Sequence, residues 1–414
     1  MKIFRIIIFL IFFGNMSCAY VKEKTEKADA QSLIYIKVEK PVVSSLKPLF
    51  LSEFVDSIEY IQLETNSKCL LPPNIGIHLT TDFIFTTSGS NLFQFDRTGK
   101  FIRQIGREGQ GPGEFKLQYC GFDDNNHRIL VISYYSREPL IFDYNGNFLG
   151  NVNDSIVSSC FGLVELFGAG NNYFICTIQP MDIDHQWAGK PYELVLYDFN
   201  KHKVTQTLTN RLVCRVEDAG WYNAVKPSFQ TLVKKDSFFY YHSFYNDTLY
   251  SVSNSSIHPF AVIDFGKLKF SSNSVYSRRN MYQGENAGKI RLAGLFKYQD
   301  IILLQVYIQE AEGVEDKSCL CKYDIKRDKI DYYSSIIIND IDGWQNISIE
   351  DMRKEIRVVR HPDDFNDKKF SEKIFSKLDD DRLKYPEQKG KIEKMLKINK
   401  EKDDNPILMI LHMK

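Results

Sequence analysis

An excess of either charge is missing from this chain. Lysine plus arginine and aspartate plus glutamate number 53 each, so the formal net charge is zero. Nucleic-acid binders carry a basic excess or a basic stripe, and neither is visible, so nucleic acid is not an expected partner. Proline (13) and methionine (8) are scarce beside 30 Phe and 23 Tyr. That bias favours strands over helices, because aromatic rings fit a pleated, half-buried surface. A hydrophobic content of 43% is ample for a core and excludes wholesale disorder. Metal-protease, nucleophile-elbow and P-loop motifs are absent, so composition and local motifs name no chemistry.

Long apolar runs are also lacking. Ile6 to Phe13 is an unbroken stretch of eight after Lys2 and Arg5. Such a run is too short to span about 30 Å of hydrocarbon, and no later segment reaches that length. With Ser17 before Cys18, residues 1–17 read as an export signal and Cys18 as a lipidation site. Cleavage after Ala19 is the competing scheme, since Ser17-Cys18-Ala19 also satisfies a small-x-small rule. Residues 18–31 then form a flexible tether, giving an outer-membrane lipoprotein that faces the periplasm or the exterior and meets the membrane only through its lipid.

Seven further cysteines, Cys69, Cys120, Cys160, Cys176, Cys214, Cys319 and Cys321, are odd in number and irregular in spacing. They do not make a disulfide framework. Cys319 and Cys321 are too close in sequence for a zinc knuckle. Buried structural thiols are expected.

From residue 32 onward one theme recurs: a short alternating strand ending in an aromatic-Asp or similar pair, a turn, and another strand. Asn91–Asp96, Pro139–Asp143, Glu193–Asp198, Asp247–Val252 and Cys319–Asp324 each begin such a hairpin. Arg97-Thr-Gly99 and Tyr144-Asn-Gly146 are hairpin turns, because glycine accepts positive φ at low cost. Four strands every 45 to 70 residues or so match the period of propeller blades. The expected fold is all-β: a six-bladed β-propeller over 32–414, its last blade closed by Pro406–Met413 beside Ser32–Val38. Residues 345–404 interrupt the theme with helical stripes. One is Ile349, Met352, Ile356 and Val359, behind Ser348 and Asp351 as a capping-box start. Phe370, Ile374, Phe375 and Leu378 form a second, and Ile392, Met395 and Leu396 a third. A small helical insert is expected there.

Gly106-Arg-Glu-Gly-Gln-Gly-Pro-Gly-Glu-Phe115, with Ile58–Thr65, Asp96–Gly106 and the ending Asp404-Asn-Pro-Ile-Leu408, resembles the six-bladed β-propeller lipoproteins of Gram-negative gut-type bacteria, distant relatives of NHL-repeat propellers. The resemblance implies the fold and an envelope location, and no settled activity. Physically, the four glycines suit a tight crossing between blades. A phosphate cradle is the sharper alternative, but its helix context is missing.

Propellers assemble sites from residues scattered over several blades. Arg107, His185, Tyr222, His242 and Arg278 lie in different units and are candidates for convergence, against a plain surface or packing role. Trp187, Trp221 and Tyr222 occupy polar, turn-rich stretches and suit a carbohydrate or partner platform, against burial between blades. Asp123-Asp-Asn-Asn126 resembles half a calcium loop but reads better as a turn. Asp56-Ser-Ile58, Asp154-Ser-Ile156 and Asp247-Thr-Leu249 match a short O-glycosylation pattern. The expected function is non-enzymatic binding of a glycan, peptide or envelope protein through Trp187, Trp221, Tyr222 and Arg107, without a cofactor. The alternative is a lyase or lactonase-type hydrolase with Ca or Zn in the central channel. A pure scaffold acting through the 345–404 helices is a third reading.

Overall fold

The computed structural model describes residues 33–72, 75–153, 163–168, 173–178, 192–209, 231–235, 238–242, 247–253, 256–270, 287–310, 314, 316–359, 375–402 and 404–414. An N-terminal arm supplies β1 (Ile34–Lys37) and β2 (Lys47–Phe50), and β3 (Val55–Gln62) follows. The first meander is β4 (Gly76–Leu79), β5 (Phe83–Ser88), β6 (Asn91–Asp96) and β7 (Phe101–Ile105). The second is β8 (Leu117–Asp123), β9 (Arg128–Ser133), β10 (Ser136–Asp143) and β11 (Phe148–Asn151). The third is β12 (Leu163–Gly168), β13 (Tyr173–Ile178), β14 (Tyr192–Asp198) and β15 (Lys203–Thr209). Next come β16 (Thr231–Lys235), β17 (Phe238–His242), β18 (Thr248–Ser253) and β19 (Ser256–Asp264). The last meander is β20 (Ile290–Tyr298), β21 (Ile301–Ile308), β22 (Lys317–Asp324) and β23 (Lys329–Ile338). The chain ends with α1 (Ile349–Lys354), β24 (Ile356–Val358), α2 (Glu387–Lys402) and β25 (Ile407–Met413).

The architecture is an all-β propeller with few helices. The described strands form five sheets where six blades were expected. The number falls because β8 and β12 pair in parallel, through Leu166↔Gly121 and Phe167↔Phe122. That pairing merges two antiparallel meanders into a single eight-stranded sheet.

A repeated carboxylate explains why several of the hairpins turn where they do. Asp96 Oδ1 accepts from the N–H groups of Thr98 and Lys100 at 2.8 and 3.0 Å. Asp143 Oδ1 accepts from Asn147 N–H at 2.8 Å, and Asp198 Oδ1 from Asn200 N–H at 2.9 Å. A strand-ending Asp thus satisfies turn donors that would otherwise lack partners. Apolar residues on the two faces of each meander then build cores against both neighbours. Phe85, Ile105, Phe115, Phe122 and Phe142 form one between the first two meanders. Leu130, Val195 and Tyr197 form the next, and Leu194, Tyr241 and Val252 the one after.

The terminal strand finds a different partner from the expected one. β25 pairs antiparallel with β3, from Ile407↔Gln62 to Met413↔Val55, and on its other side with β24. Of the expected partner Ser32–Val38, the described residues are not beside it: β1 instead adds in parallel to β19, while β2 adds in parallel to β23. The expected helical stripe is also divided. The capping box of Ser348 and Asp351 is present, but Glu355 turns left-handed at φ 56° and ends α1. Ile356 and Val359 are still buried, but Ile356 lies on β24 and Val359 just beyond it. Phe375 makes an isolated bridge to Gln345 rather than a helix. Phe370 and Ile374 lie outside the described residues, whereas Ile392 and Leu396 are core residues of α2.

Asn405 locks this closure. Its Oδ1 accepts from Leu71 N–H at 2.8 Å, and its Nδ2 donates to the carbonyls of Glu64 and Cys69 at 2.6 and 2.8 Å. Its own N–H donates to Thr65 Oγ1 at 2.6 Å. Asn405 is wholly buried, so removing its amide strands Leu71 N–H and the Cys69 carbonyl and leaves the Glu64 carbonyl with the Cys69 thiol as donor. Asn405→Ala is expected to lower stability by about 3 kcal/mol, measured by urea unfolding of the full chain. A loss below about 1 kcal/mol would show that the loop at 64–71 closes without it.

Candidate functional site

The crossing from β7 to β8 is the glycine-rich segment 106–115. Gly106 has φ +63°, and a Cβ there would overlap the Phe115 ring, so glycine is required on both counts. Phe115 N–H closes the loop on Arg107 carbonyl at 2.9 Å, and its ring sits edge-on to Phe142. Glu114 occupies the loop's interior. Its Oε2 accepts from Gly111 N–H at 3.0 Å, while Arg107 Nε and Nη2 donate to Oε1 at 2.7 and 2.6 Å. The backbone bond from Gly111, then the Arg107 guanidinium, holds the Glu114 carboxyl below its ordinary value of 4.5. The loop's anion-binding groups therefore hold the chain's own carboxylate, which removes the case for a phosphate cradle. Arg107 is exposed, as a binding residue must be, yet its charge is already paired.

Beside this loop stands the turn between β9 and β10. Ser133 Oγ accepts from Lys116 N–H at 3.2 Å and Tyr135 N–H at 3.1 Å, and Tyr134 N–H donates to Lys116 carbonyl at 2.9 Å. These bonds fix the turn on the crossing and leave Tyr134 and Tyr135 64% and 46% exposed. Tyr135 hydroxyl donates to Glu108 Oε1 at 3.0 Å, and Lys116 Nζ lies 6.0 Å above its ring. Lys116 and Glu108 are themselves 3.7 Å apart. The result is a pair of aromatic faces beside two mutually neutralised ion pairs. Sequence reasoning missed Tyr134 and Tyr135. The available signal was two aromatics in a Ser-Tyr-Tyr-Ser turn, where small polar residues are usual.

A second polar group ties the first two meanders together. His78 stacks on Phe122 at 4.0 Å and places Nε2 3.2 Å from Asp124 Oδ1, which also accepts from Tyr144 hydroxyl at 2.7 Å. Burial, then the Asp124 charge, pushes the Tyr144 phenol well above its ordinary range. Asp123 accepts from Asn126 N–H and Nδ2, so Asp123–Asn126 is a turn and not a calcium loop.

Of the expected site residues, Arg107 is on this surface, whereas His242 is buried at the end of β17. Trp187, Trp221, Tyr222, His185, Arg278 and Cys18 lie outside the described residues. Cys69, Cys319 and Cys321 are buried free thiols, and Cys120 is a half-buried one. Among the described residues no group of three or more His, Cys, Asp or Glu is placed to hold a metal ion.

Residues 33–412 match DUF4934, a domain of unknown function. The chain belongs to this family. A Bacteroides fragilis protein described as exported has a similar structure, with TM-score 0.53 and 16% identity over 92% of this chain and 100% of that one. At that identity the likeness shows the fold alone. A DUF4221 member from Bacteroides vulgatus has TM-score 0.42 and 10% identity, over 69% of this chain and 89% of that one. Virginiamycin B lyase from Staphylococcus aureus has TM-score 0.34 and 9% identity, over 67% and 88%. Those two scores are too low to support an argument. No curated protein matches. The family assignment does not extend to six blades or to the NHL relationship.

Because the pKa of Glu114 is depressed, its contribution to the loop is present above 4.5 and lost as pH falls through the lower folded value. Amide exchange at 107–114, corrected for its intrinsic pH dependence, is expected to lose protection on acidification below that value. Glu114→Gln should already show the low-protection state at neutral pH. A loop whose protection ignores both changes would not be held by this carboxylate.

Proposed function

We propose that this DUF4934 protein is an exported, lipid-tethered and non-enzymatic propeller that binds a glycan, peptide or envelope protein at the rim formed by Tyr134, Tyr135 and Arg107. The observation that carries this reading is the tyrosine pair. Large aromatic side chains are seldom left this open at a turn, and a fixed aromatic face flanked by polar groups recognises sugar rings or apolar side chains. Glu114 and Glu108 offset the nearby cations, which favours a neutral glycan over an anion. Trp187, Trp221 and Tyr222 complete the proposed binding set.

Export is supported by the basic start, apolar run and Ser17-Cys18 of the chain, and lipidation is assigned to Cys18. Labelled palmitate supplied to expressing cells should enter the wild-type protein and not the Cys18→Ala variant. Equal labelling of both would remove the lipoprotein assignment.

The rim is tested by titrating a panel of neutral glycans and short peptides into wild type and the Tyr134→Ala, Tyr135→Ala double variant. Rings of this kind contribute about 1 to 2 kcal/mol each, so at least a tenfold loss of affinity is expected. Both side chains are largely exposed, so the unfolding midpoint should hardly move. Undiminished binding by the double variant would place the site elsewhere, and turnover of any panel member would favour the enzyme reading.

A further inference from the structure

β22 carries two thiols on one face. Cys319 and Cys321 are two residues apart in an extended strand, so both side chains leave the same side of the sheet, with Cα atoms about 6.7 Å apart. Both residues are wholly buried. The ladder fixes what stands beside them. Val306 and Leu304 of β21 lie across on one side, and Ser334 and Tyr332 of β23 on the other. The two cysteine side chains hydrogen-bond to each other. That bond favours one thiolate beside one thiol and opposes loss of the second proton.

The N-terminal arm reaches this part of the sheet between β1 and β2. Its 3₁₀ turn Val43–Ser45 packs against β22, and Val43 and Leu46 join the core that contains both cysteines. Glu39 N–H donates to Tyr332 hydroxyl at 2.8 Å. Tyr332 shares the face of Cys321, because residues directly opposite in a ladder point the same way. The arm is therefore tied to the side of the sheet from which the thiols project.

We infer that Cys319 and Cys321 form a two-coordinate site for a soft monovalent metal ion of the Cu(I) and Ag(I) class. Thiolates are soft donors, and soft ions select them. Zinc takes four ligands, and among the described residues no group of three or more His, Cys, Asp or Glu is placed to hold a metal ion. A linear ion needs only two. Metal–thiolate bonds of about 2.3 Å let it hold sulfurs about 4.5 Å apart, which two side chains leaning together from one strand face supply. A disulfide would need Cβ atoms about 3.5–4.5 Å apart, and the ladders on both sides of β22 hold the strand extended against that closure. Val306 and Leu304 give the pair an apolar wall. Binding breaks two S–H bonds, releases two protons and forms two sulfur–metal bonds. No electron changes hands, and the ion with its two thiolates carries one negative charge. This inference goes beyond the tyrosine rim and does not depend on it.

The test is an anaerobic titration of Cu(I), buffered by the chromogenic chelator bicinchoninate, into the full chain. One equivalent is expected to pass from the chelator to the protein. X-ray absorption of that complex should show two sulfur neighbours and no nitrogen or oxygen. Cys319→Val and Cys321→Val should each weaken binding by more than about a hundredfold, beyond the loss usual for an outer-shell partner. Valine suits a buried strand position, and the unfolding midpoint reads whether each variant folds; alanine takes its place in a variant that does not. The Cys69→Ala, Cys120→Ala double variant should bind as wild type, and excess Zn(II) should not displace the ion. The inference is overturned if the chelator keeps all the Cu(I), or if the bound equivalent survives in either β22 variant. Three or more ligands in the absorption spectrum, or displacement by Zn(II), would overturn it as well.

Discussion

A ring of sheets holds only if its last strand returns to its first, and here that burden falls on the pairing of β25 with β3. The two strands are separated by nearly the whole sequence, yet they pair from Ile407↔Gln62 to Met413↔Val55. Asn405, immediately before β25, satisfies the loop at 64–71 with its side chain. Leu408 and Ile410 then face Ile61, Ile84 and Phe95 in one core, while Ile407, Met409 and Leu411 join the other. A single strand therefore seals both neighbouring interfaces. Close by, Tyr60 of β3 donates its hydroxyl to the buried Asp342 at 2.5 Å, and Asn339 Nδ2 donates to the same carboxylate at 2.7 Å. The closure is polar at its anchors and apolar between them. Such a network specifies one geometry, because a partly satisfied version would strand buried charge and amide groups.

The remaining sheets need less long-range insurance. Their strands meet through short hairpins, and an Asp at the strand end supplies several of the turns with an acceptor. Local pairing of this kind has little loop entropy to overcome. The crossing at 106–115 is different. It must leave one outer strand and enter the next inner strand within a few residues, and Glu114 bonded to Gly111 and Arg107 makes it rigid. That rigidity is what presents Tyr134 and Tyr135, and Gly113 of the same crossing packs against Phe148. A feature that looks like a ligand cradle in sequence is thus a support for two neighbouring surfaces.

Several particular readings show where sequence patterning stops. Ile349, Met352, Ile356 and Val359 follow helical spacing, and all are buried, yet the helix ends at Lys354. Burial was legible there and periodicity was not, because the left-handed Glu355 reverses the chain and β24 buries the same residues against β25. The partner of β25 was misplaced for a related reason. Both Ser32–Val38 and Val55–Gln62 alternate, and alternation alone does not say which strand lies alongside. The blade count depended on β8 and β12, whose parallel pairing spans separate meanders and has no turn to announce it.

Strand content, hairpin positions, the Asp-capped turns and the need for glycine at the crossing were set locally, since each depends on a handful of adjacent residues and their φ preferences. Which strands closed the ring, how meanders merged, and which aromatics stayed in water were set by packing across the whole chain. Those outcomes depend on contacts between residues far apart in sequence, such as Asn405 with Cys69 and Tyr60 with Asp342, that only a folded ring brings together.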